Sequence, residues 1–213
     1  MKLALIHAMT ASVTPIEEAF REVAPEVTLL HFMDTGLLPM VQEQGKLTVP
    51  IIQRFSKLLQ MATESKVDAI QLTCSAFNDV TKILQPLHEE KLFRSDEAML
   101  DEALAYQKIG LISTVKETPV VLKNYLVEKN PHLQIESIVN SDAVRLLFEG
   151  RMEEHDALIR EMIVELDGKV EAIVLSQYSM AHVAKQIQSS VPILTGPMTT
   201  ARRCLDHLQN LKG

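Results

Sequence analysis

Short apolar runs alternate along the chain with longer segments of helical periodicity. Apolar runs between polar turns are typical of buried strands, whereas apolar residues about three or four positions apart are typical of amphipathic helices. The predicted strands are residues 2–7, 26–32, the run that ends before Cys74, 108–113, 133–139, the run that ends before Ser176, and 191–195. The predicted helices are residues 15–23, 49–65, the segment from Val80, 98–105, 118–128, 142–148, 153–166, 180–187 and the C-terminal segment. Residues 34–45 contain Gly and Pro and are predicted to form a loop.

The same strand–turn–helix pattern occurs in both halves of the chain. Residues 69–74 align on residues 172–177, so that Cys74 corresponds to Gln177, and residues 2–7 echo residues 108–113 more weakly. Alternating strands and helices form parallel sheets. The pattern therefore predicts an α/β protein with two similar parallel-sheet domains that face each other across a cleft.

Composition and charge narrow the class of protein. The chain has 213 residues, 46% of them hydrophobic, which is enough for one large or two small domains with sizeable cores. The formal net charge of -7, without a long basic run, argues against a nucleic-acid-binding surface. The first apolar stretch, residues 3–6, is too short for a signal peptide or a membrane span. We therefore expect a cytoplasmic protein without a membrane anchor.

Cys74 is the strongest candidate for chemistry. It follows an apolar strand and lies between Thr73 and Ser75, and helix-compatible sequence comes after it. The carboxyl end of a parallel strand is where open α/β sheets bind ligands, and amides at a helix N-terminus lower the pKa of a thiol. We therefore predict an activated thiolate at Cys74, with Thr73 and Ser75 as substrate contacts; a small core hydrophobe is the alternative. Cys204 lies on a predicted helix and is interpreted as a packing residue. The two cysteines form neither a disulfide framework nor a CxxC metal motif.

Three segments together resemble the aspartate/glutamate racemase superfamily, which includes hydantoin racemases, maleate isomerases and arylmalonate decarboxylases. The first is Gln-Leu-Thr-Cys-Ser-Ala at 71–76, and the second is Lys-Ile-Gly-Leu-Ile-Ser-Thr-Val-Lys-Glu-Thr at 108–118. The third is Val-Pro-Ile-Leu-Thr-Gly at 191–196, followed by Thr-Thr-Ala-Arg-Arg-Cys-Leu-Asp-His-Leu at 199–208. Their order and spacing cover nearly the whole chain.

The resemblance implies a domain division, a site and a chemistry. One domain would comprise residues 1–94 plus 196–213, with the terminal helix returning to it, and the other residues 95–195. The active site would lie in the cleft between them and move a proton at carbon of a small carboxylate, without pyridoxal phosphate, metal or other cofactor. Thr114 and Thr118 would bind the substrate carboxylate, and Ser113 is a further candidate. A homodimer is among the open oligomeric states.

Gln177 is where the chain departs from the two-base racemases of the family, which carry a second cysteine at this strand end. A glutamine cannot exchange a proton as an acid or a base near neutral pH. Ser176, Gln177 and Tyr178 are predicted to face the substrate, with turn capping as the alternative. The phenol of Tyr178 has an ordinary pKa of about 10, which makes it a reluctant base.

His7 ends the first predicted strand at a family site position, and Thr10 follows in the same loop. Both are candidate substrate contacts, although His7 also fits a hydrogen-bonded histidine at a strand end. His182 is expected at the surface, and residues 153–156 are interpreted as a solvated helix start. The remaining histidines show no grouping in the sequence.

Three functions stay open from the sequence. The first is a racemase or isomerase in which Cys74 is the thiolate acid/base. The second is a single-cysteine decarboxylase or cis–trans isomerase, in which Cys74 is a proton donor or a nucleophile. The third is a catalytically silent sensor of a small molecule, which the missing second cysteine favours.

Overall fold

The computed structural model describes residues 1–116 and 118–211. One compact unit consists of Met1–Glu97 with the C-terminal segment that begins at Pro197, and a second consists of Ala98–Gly196. Each unit contains a four-stranded sheet in which all neighbouring strands are parallel. The predicted fold class, α/β with two similar parallel-sheet domains, is confirmed.

The sheet of the first unit has the order β2-β1-β3-β4. Its strands are β1 Lys2–His7, β2 Thr28–Met33, β3 Ala69–Leu72 and β4 Lys91–Phe93. Its helices are α1 Val13–Val23, α2 Leu37–Gln44, α3 Val49–Glu64, α4 Val80–Leu84 and the start of α5 Glu97–Ala103. Residues Ala69–Leu72 of β3 are all buried, as central parallel strands require. The apolar face of α3 packs in the core below it, and Phe55 stacks on Phe77 with ring centroids 5.1 Å apart.

The sheet of the second unit repeats this order as β6-β5-β7-β8. Its strands are β5 Lys108–Ser113, β6 Gln134–Val139, β7 Ala172–Leu175 and β8 Ile193–Thr195. Its helices are most of α5, α6 Thr118–Lys129, α7 Ser141–Phe148 and α8 Met152–Leu166. Gly110 of β5 lets α8 approach closely, because a Cβ there would lie 2.7 Å from Leu166 Cδ1.

The C-terminal helix, α9 Gly196–Asn210, packs its side chains on the first unit. Cys204 is fully buried, and its thiol donates to Gln71 Oε1 over 3.3 Å. The ring of His207 meets Phe93 edge to face at 5.2 Å. Cys204 is therefore a packing residue that also satisfies a polar side chain of the central strand β3.

Three local predictions differ from the structure. Residues 34–45, which were predicted as a loop, contain α2. Pro39 is compatible with this helix because it lies in the first turn, where a backbone N–H has no partner within the helix. Strand β4 was not predicted, because three residues are too few for a pattern. The helix predicted at 180–187 is a 3₁₀ segment, Tyr178–Lys185, whereas the helix predicted from Val80 is found as α4, after a short 3₁₀ turn at Ser75–Phe77.

Among the helices within residues 1–116 and 118–211, none is long and apolar enough to cross a bilayer.

Candidate functional site

Cys74 lies just beyond the carboxyl end of β3, in the first unit. The strand ends at Leu72, and Cys74 follows in extended conformation, with φ -132° and ψ 120°. A single 3₁₀ turn, Ser75–Phe77, comes next, and Phe77 N–H donates to the Cys74 carbonyl over 3.2 Å. Cys74 is a free, partly buried thiol, and Ser75 beside it is also partly buried. The structure thus places a thiol at the carboxyl ends of the strands, where α/β proteins bind ligands.

The expected lowering of the Cys74 pKa by helix amides is wrong. Burial raises the pKa of the Cys74 thiol to about 11, and the backbone N–H of Ala76 opposes this only in part. The physical reason is burial, which disfavours the charged thiolate more than the Ala76 N–H in the short turn that follows can stabilise it. Near neutral pH this group is therefore a thiol, which can donate a proton.

A buried group of polar side chains lies at the ends of β1 and β3, and one of its members, Thr73, precedes Cys74 in the sequence. His7 Nδ1 lies 2.8 Å from Ser12 Oγ and 2.9 Å from Thr73 Oγ1. The two hydroxyl oxygens are 3.0 Å apart, and all three residues are at most 3% exposed. Burial, reinforced by the neighbouring imidazole of His31, lowers the pKa of His7 to about 4, so that its ring is neutral.

His31 and Glu17 extend this group toward the surface. His31 Nδ1 lies 3.0 Å from His7 Nε2, and the two rings are nearly parallel, with centroids 5.1 Å apart and an interplanar angle of 11°. His31 Nε2 lies 3.3 Å from Glu17 Oε1. Because both ring nitrogens of His7 are engaged, a substrate would have to displace one of these bonds to reach it. Direct substrate binding by His7 and by the exposed Thr10 stays a prediction.

In the second unit, Gln177 occupies the position that corresponds to Cys74. It lies two residues beyond β7, as Cys74 does beyond β3, and it is likewise extended before a 3₁₀ segment. Thr114 N–H donates to Gln177 Oε1 over 3.1 Å, and the Thr114 hydroxyl lies 3.5 Å from the same oxygen. Gln177 Nε2 donates to Thr118 Oγ1 over 3.2 Å. The structure therefore brings three of the predicted site residues together.

Three more predicted site residues lie at the carboxyl ends of the strands in the second sheet: Ser113, Ser176 and Tyr178. The hydroxyl oxygens of Ser113 and Ser176 are 2.8 Å apart, and both residues are buried. Tyr178 is also buried, with 5% of its surface exposed. Their roles as substrate contacts stay predictions, and the serine pair links the ends of β5 and β7.

The sequence did not predict a buried group on α8. Asp156 Oδ1 lies 2.8 Å from His155 Nδ1, and Asp156 Oδ2 lies 2.8 Å from His182 Nε2. His155 is fully buried and Asp156 is 6% exposed, so the interpretation of residues 153–156 as a solvated helix start is wrong there. The physical reason is that His155 and Asp156 lie on the inward face of the helix, whereas Glu153 and Glu154 are exposed.

Metal chemistry has no evident ligand set in the described part of the chain, 1–116 and 118–211, where no three His, Cys, Asp or Glu side chains are grouped to hold an ion. In the first unit, the ionisable groups at the strand ends are the thiol of Cys74 and the imidazole of His7, and His7 is linked through His31 to the carboxylate of Glu17. At the strand ends of the second unit the groups are hydroxyls, a carboxamide and one phenol. The first set can transfer protons, and the second is better suited to hold a polar ligand.

The chain is similar in fold to several solved structures, although its sequence matches no family model. The fold matches glutamate racemase from Francisella tularensis in complex with D-glutamate, with a TM-score of 0.76 and 14% identity over 99% of this chain and 82% of that one. It also matches an aspartate racemase homologue from Pyrococcus horikoshii, with a TM-score of 0.74 and 14% identity over 98% and 99% of the two chains. Allantoin racemase from Klebsiella pneumoniae matches with a TM-score of 0.66 and 20% identity over 100% and 89%. Neither a family model nor a curated protein matches the sequence.

These likenesses establish the fold. The chain has the fold of the aspartate, glutamate and allantoin racemases, so the resemblance predicted from the sequence is confirmed at that level.

Proposed function

We propose that this protein is a cofactor-independent enzyme of the racemase and isomerase type, which moves a proton at carbon of a small carboxylate. Cys74 is the group that exchanges the proton. Thr114 and Thr118 hold the carboxylate through their hydroxyl groups and the N–H of Thr114. The observation that carries the proposal is a free, partly buried thiol beyond a central strand, in a fold shared with solved racemases.

The donors at Thr114 support carboxylate binding. Its N–H and hydroxyl both point at one amide oxygen, Gln177 Oε1, which is a neutral oxygen acceptor of the same geometry as a carboxylate oxygen. A carboxylate that used these donors would displace the Gln177 side chain. Hydrogen bonds to a charged acceptor are stronger than those to a neutral amide, so the exchange favours an anionic ligand.

A second candidate is favoured by the raised pKa of Cys74. A group that is a thiol near neutral pH is ready to give a proton rather than to take one. A decarboxylase needs this direction, because loss of carbon dioxide leaves a carbanion that must be protonated. Gln177 cannot supply a second exchanging group, which also fits a reaction on one face of the substrate.

Hydrogen exchange in heavy water tests both candidates. The protein is incubated in heavy water with amino acids, hydantoins and small dicarboxylates, and with arylmalonates for the decarboxylase, and products are read by mass spectrometry and optical rotation. The proposal expects deuterium at carbon with the unmodified protein, and its loss with Cys74→Ala. Cys204→Ser is the matched control, because it changes the other cysteine and keeps a donor toward Gln71. Exchange that persists in Cys74→Ala contradicts the role of the thiol. No turnover together with ligand binding would indicate a sensor.

A further inference from the structure

A chain of hydrogen bonds runs from His31 through His7 to a buried pair of hydroxyls, and an ion-pair contact continues it from His31 to the partly exposed carboxylate of Glu17. The order is Glu17, His31, His7, and then Ser12 and Thr73, with successive donor–acceptor distances between 2.8 and 3.3 Å. The Glu17 side chain is 40% exposed and that of His31 is 28% exposed, whereas His7 is fully buried. Thr73, at the inner end, is the residue before Cys74 in the sequence.

Two opposing preferences act on the tautomer of His7. Ser12 can donate its hydroxyl proton to the Met9 carbonyl at 2.9 Å, and Thr73 can donate to the Ile6 carbonyl at 3.1 Å. If both did so, His7 would have to carry its proton on Nδ1 and donate it to one of the hydroxyl oxygens. Locally, therefore, the Nδ1–H tautomer satisfies every group.

Glu17 imposes the other tautomer. A carboxylate next to His31 Nε2 requires a proton there, because two lone pairs at 3.3 Å would repel each other. A neutral His31 then has a bare Nδ1, which needs a donor from His7 Nε2. His7 Nδ1 is left bare in turn, and a hydroxyl proton must point at it.

We infer that Glu17 and His31 fix His7 as its Nε2–H tautomer, and that the chain carries a proton from the hydroxyl pair to His31 while His7 stays neutral. An acid of the thiol or carbon-acid class gives its proton to one of the hydroxyl oxygens. That hydroxyl passes its own proton to His7 Nδ1. His7 passes its Nε2 proton to His31 Nδ1. The acid has lost one proton, His31 has gained one and become an imidazolium beside Glu17, and His7 has changed tautomer only.

This arrangement separates the place where a proton is taken from the place where charge appears. A cation on buried His7 would be costly, as its lowered pKa shows. A cation on His31 is partly solvated and adjoins a carboxylate, and burial penalises it less. Glu17 and His31 are thus positioning residues. The tautomer rests on the geometry alone, whereas its use in catalysis rests on the proposed function.

Nitrogen NMR of the histidine rings tests the tautomer without any ligand, so the result does not depend on the proposed function. Spectra are recorded at pH 8.5, where an ordinary imidazole, with a pKa of about 6.5, is neutral. The expected result is a protonated Nε2 and an unprotonated Nδ1 for His7. Glu17→Ala should shift the His7 Nδ1 resonance toward the protonated range. Glu17→Gln keeps an acceptor oxygen and should retain the original tautomer.

Glu18→Ala is the matched control, because Glu18 is an exposed neighbour on the same helix. Its spectrum should equal that of the unmodified protein. A His7 ring protonated at Nδ1 in the unmodified protein would overturn the inference. So would an unchanged His7 tautomer in folded Glu17→Ala, with folding judged from the backbone amide spectrum.

Discussion

Alkylation of Cys74 over a range of pH offers the sharpest test of the state of the thiol. With a pKa of about 11, about one molecule in a thousand carries the thiolate at pH 8. An ordinary cysteine, with a pKa of about 8.5, is about one quarter thiolate at that pH, which gives Cys74 a deficit of about 250-fold. A more basic thiolate is a stronger nucleophile, and with a Brønsted slope of about 0.4–0.5 the difference in pKa restores about tenfold. Cys74 should therefore react about 20-fold more slowly than an ordinary thiol, and partial burial should slow it further.

The assay is a time course with iodoacetamide from pH 7 to pH 10, followed by mass-spectrometric mapping of the two cysteines. The reference is the same chain unfolded in urea, in which both thiols are ordinary. In the folded protein the rate at Cys74 should rise about tenfold for each pH unit over this range. Cys204 should be slower still, because it is fully buried and burial raises its pKa further.

One result would refute this reasoning. A rate at Cys74 that equals or exceeds that of the unfolded chain at pH 8, with a plateau near pH 7–8, would show an activated thiolate. The burial argument would then be wrong, and the original expectation of activation by backbone amides would return.

Two further predictions concern single side chains and are measured by urea denaturation. Gln177→Ala removes the hydrogen bond from Thr114 N–H and the one to Thr118, each of which contributes about 0.5–1.5 kcal/mol. The free energy of unfolding should therefore fall by about 1–3 kcal/mol. An unchanged urea midpoint would contradict the observed bonds. Asp96 is 1% exposed and forms a bidentate pair with Arg94, with both hydrogen bonds at 3.0 Å. Asp96→Ala should therefore lower the free energy of unfolding by about 3–5 kcal/mol, because it leaves the buried charge of Arg94 without this partner. The control Asp79→Ala removes a carboxylate that is 55% exposed and 3.8 Å from Arg94, and it should cost less than about 1 kcal/mol. Equal losses for the two aspartates would refute the effect of burial.

The alternation of strands and helices was predictable because the central strands are buried on both faces. Residues 2–7 and 108–113 are nearly continuous apolar runs, and each is found as a strand with the same bounds. The correspondence of Cys74 and Gln177 was visible for the same reason, since β3 and β7 have equal length and each is followed by two residues before its turn.

The contacts of the histidines were not predictable, because they arise from strand pairing. His7 and His31 are far apart in sequence, but β1 and β2 are neighbours in parallel register, with His7 opposite Met33 and Leu5 opposite His31. Residues two apart on a strand share a face, so this offset brings the two rings together. The pKa of Cys74 was missed for a different reason. Its sign depends on how far the thiol is buried against the core of the first unit, which the local sequence does not show.

The two sheets use one backbone plan to present different chemistry. The strand ends of the first carry Cys74 and the chain through His7 to Glu17, which can give, take and conduct protons. At the corresponding position of the second, Gln177 joins Thr114 and Thr118 in a group that can only donate and accept hydrogen bonds. Racemisation by two equivalent bases needs an exchanging group on each side, and a carboxamide cannot be one. Within the proposed function, the difference favours a one-sided reaction over racemisation by two equivalent bases.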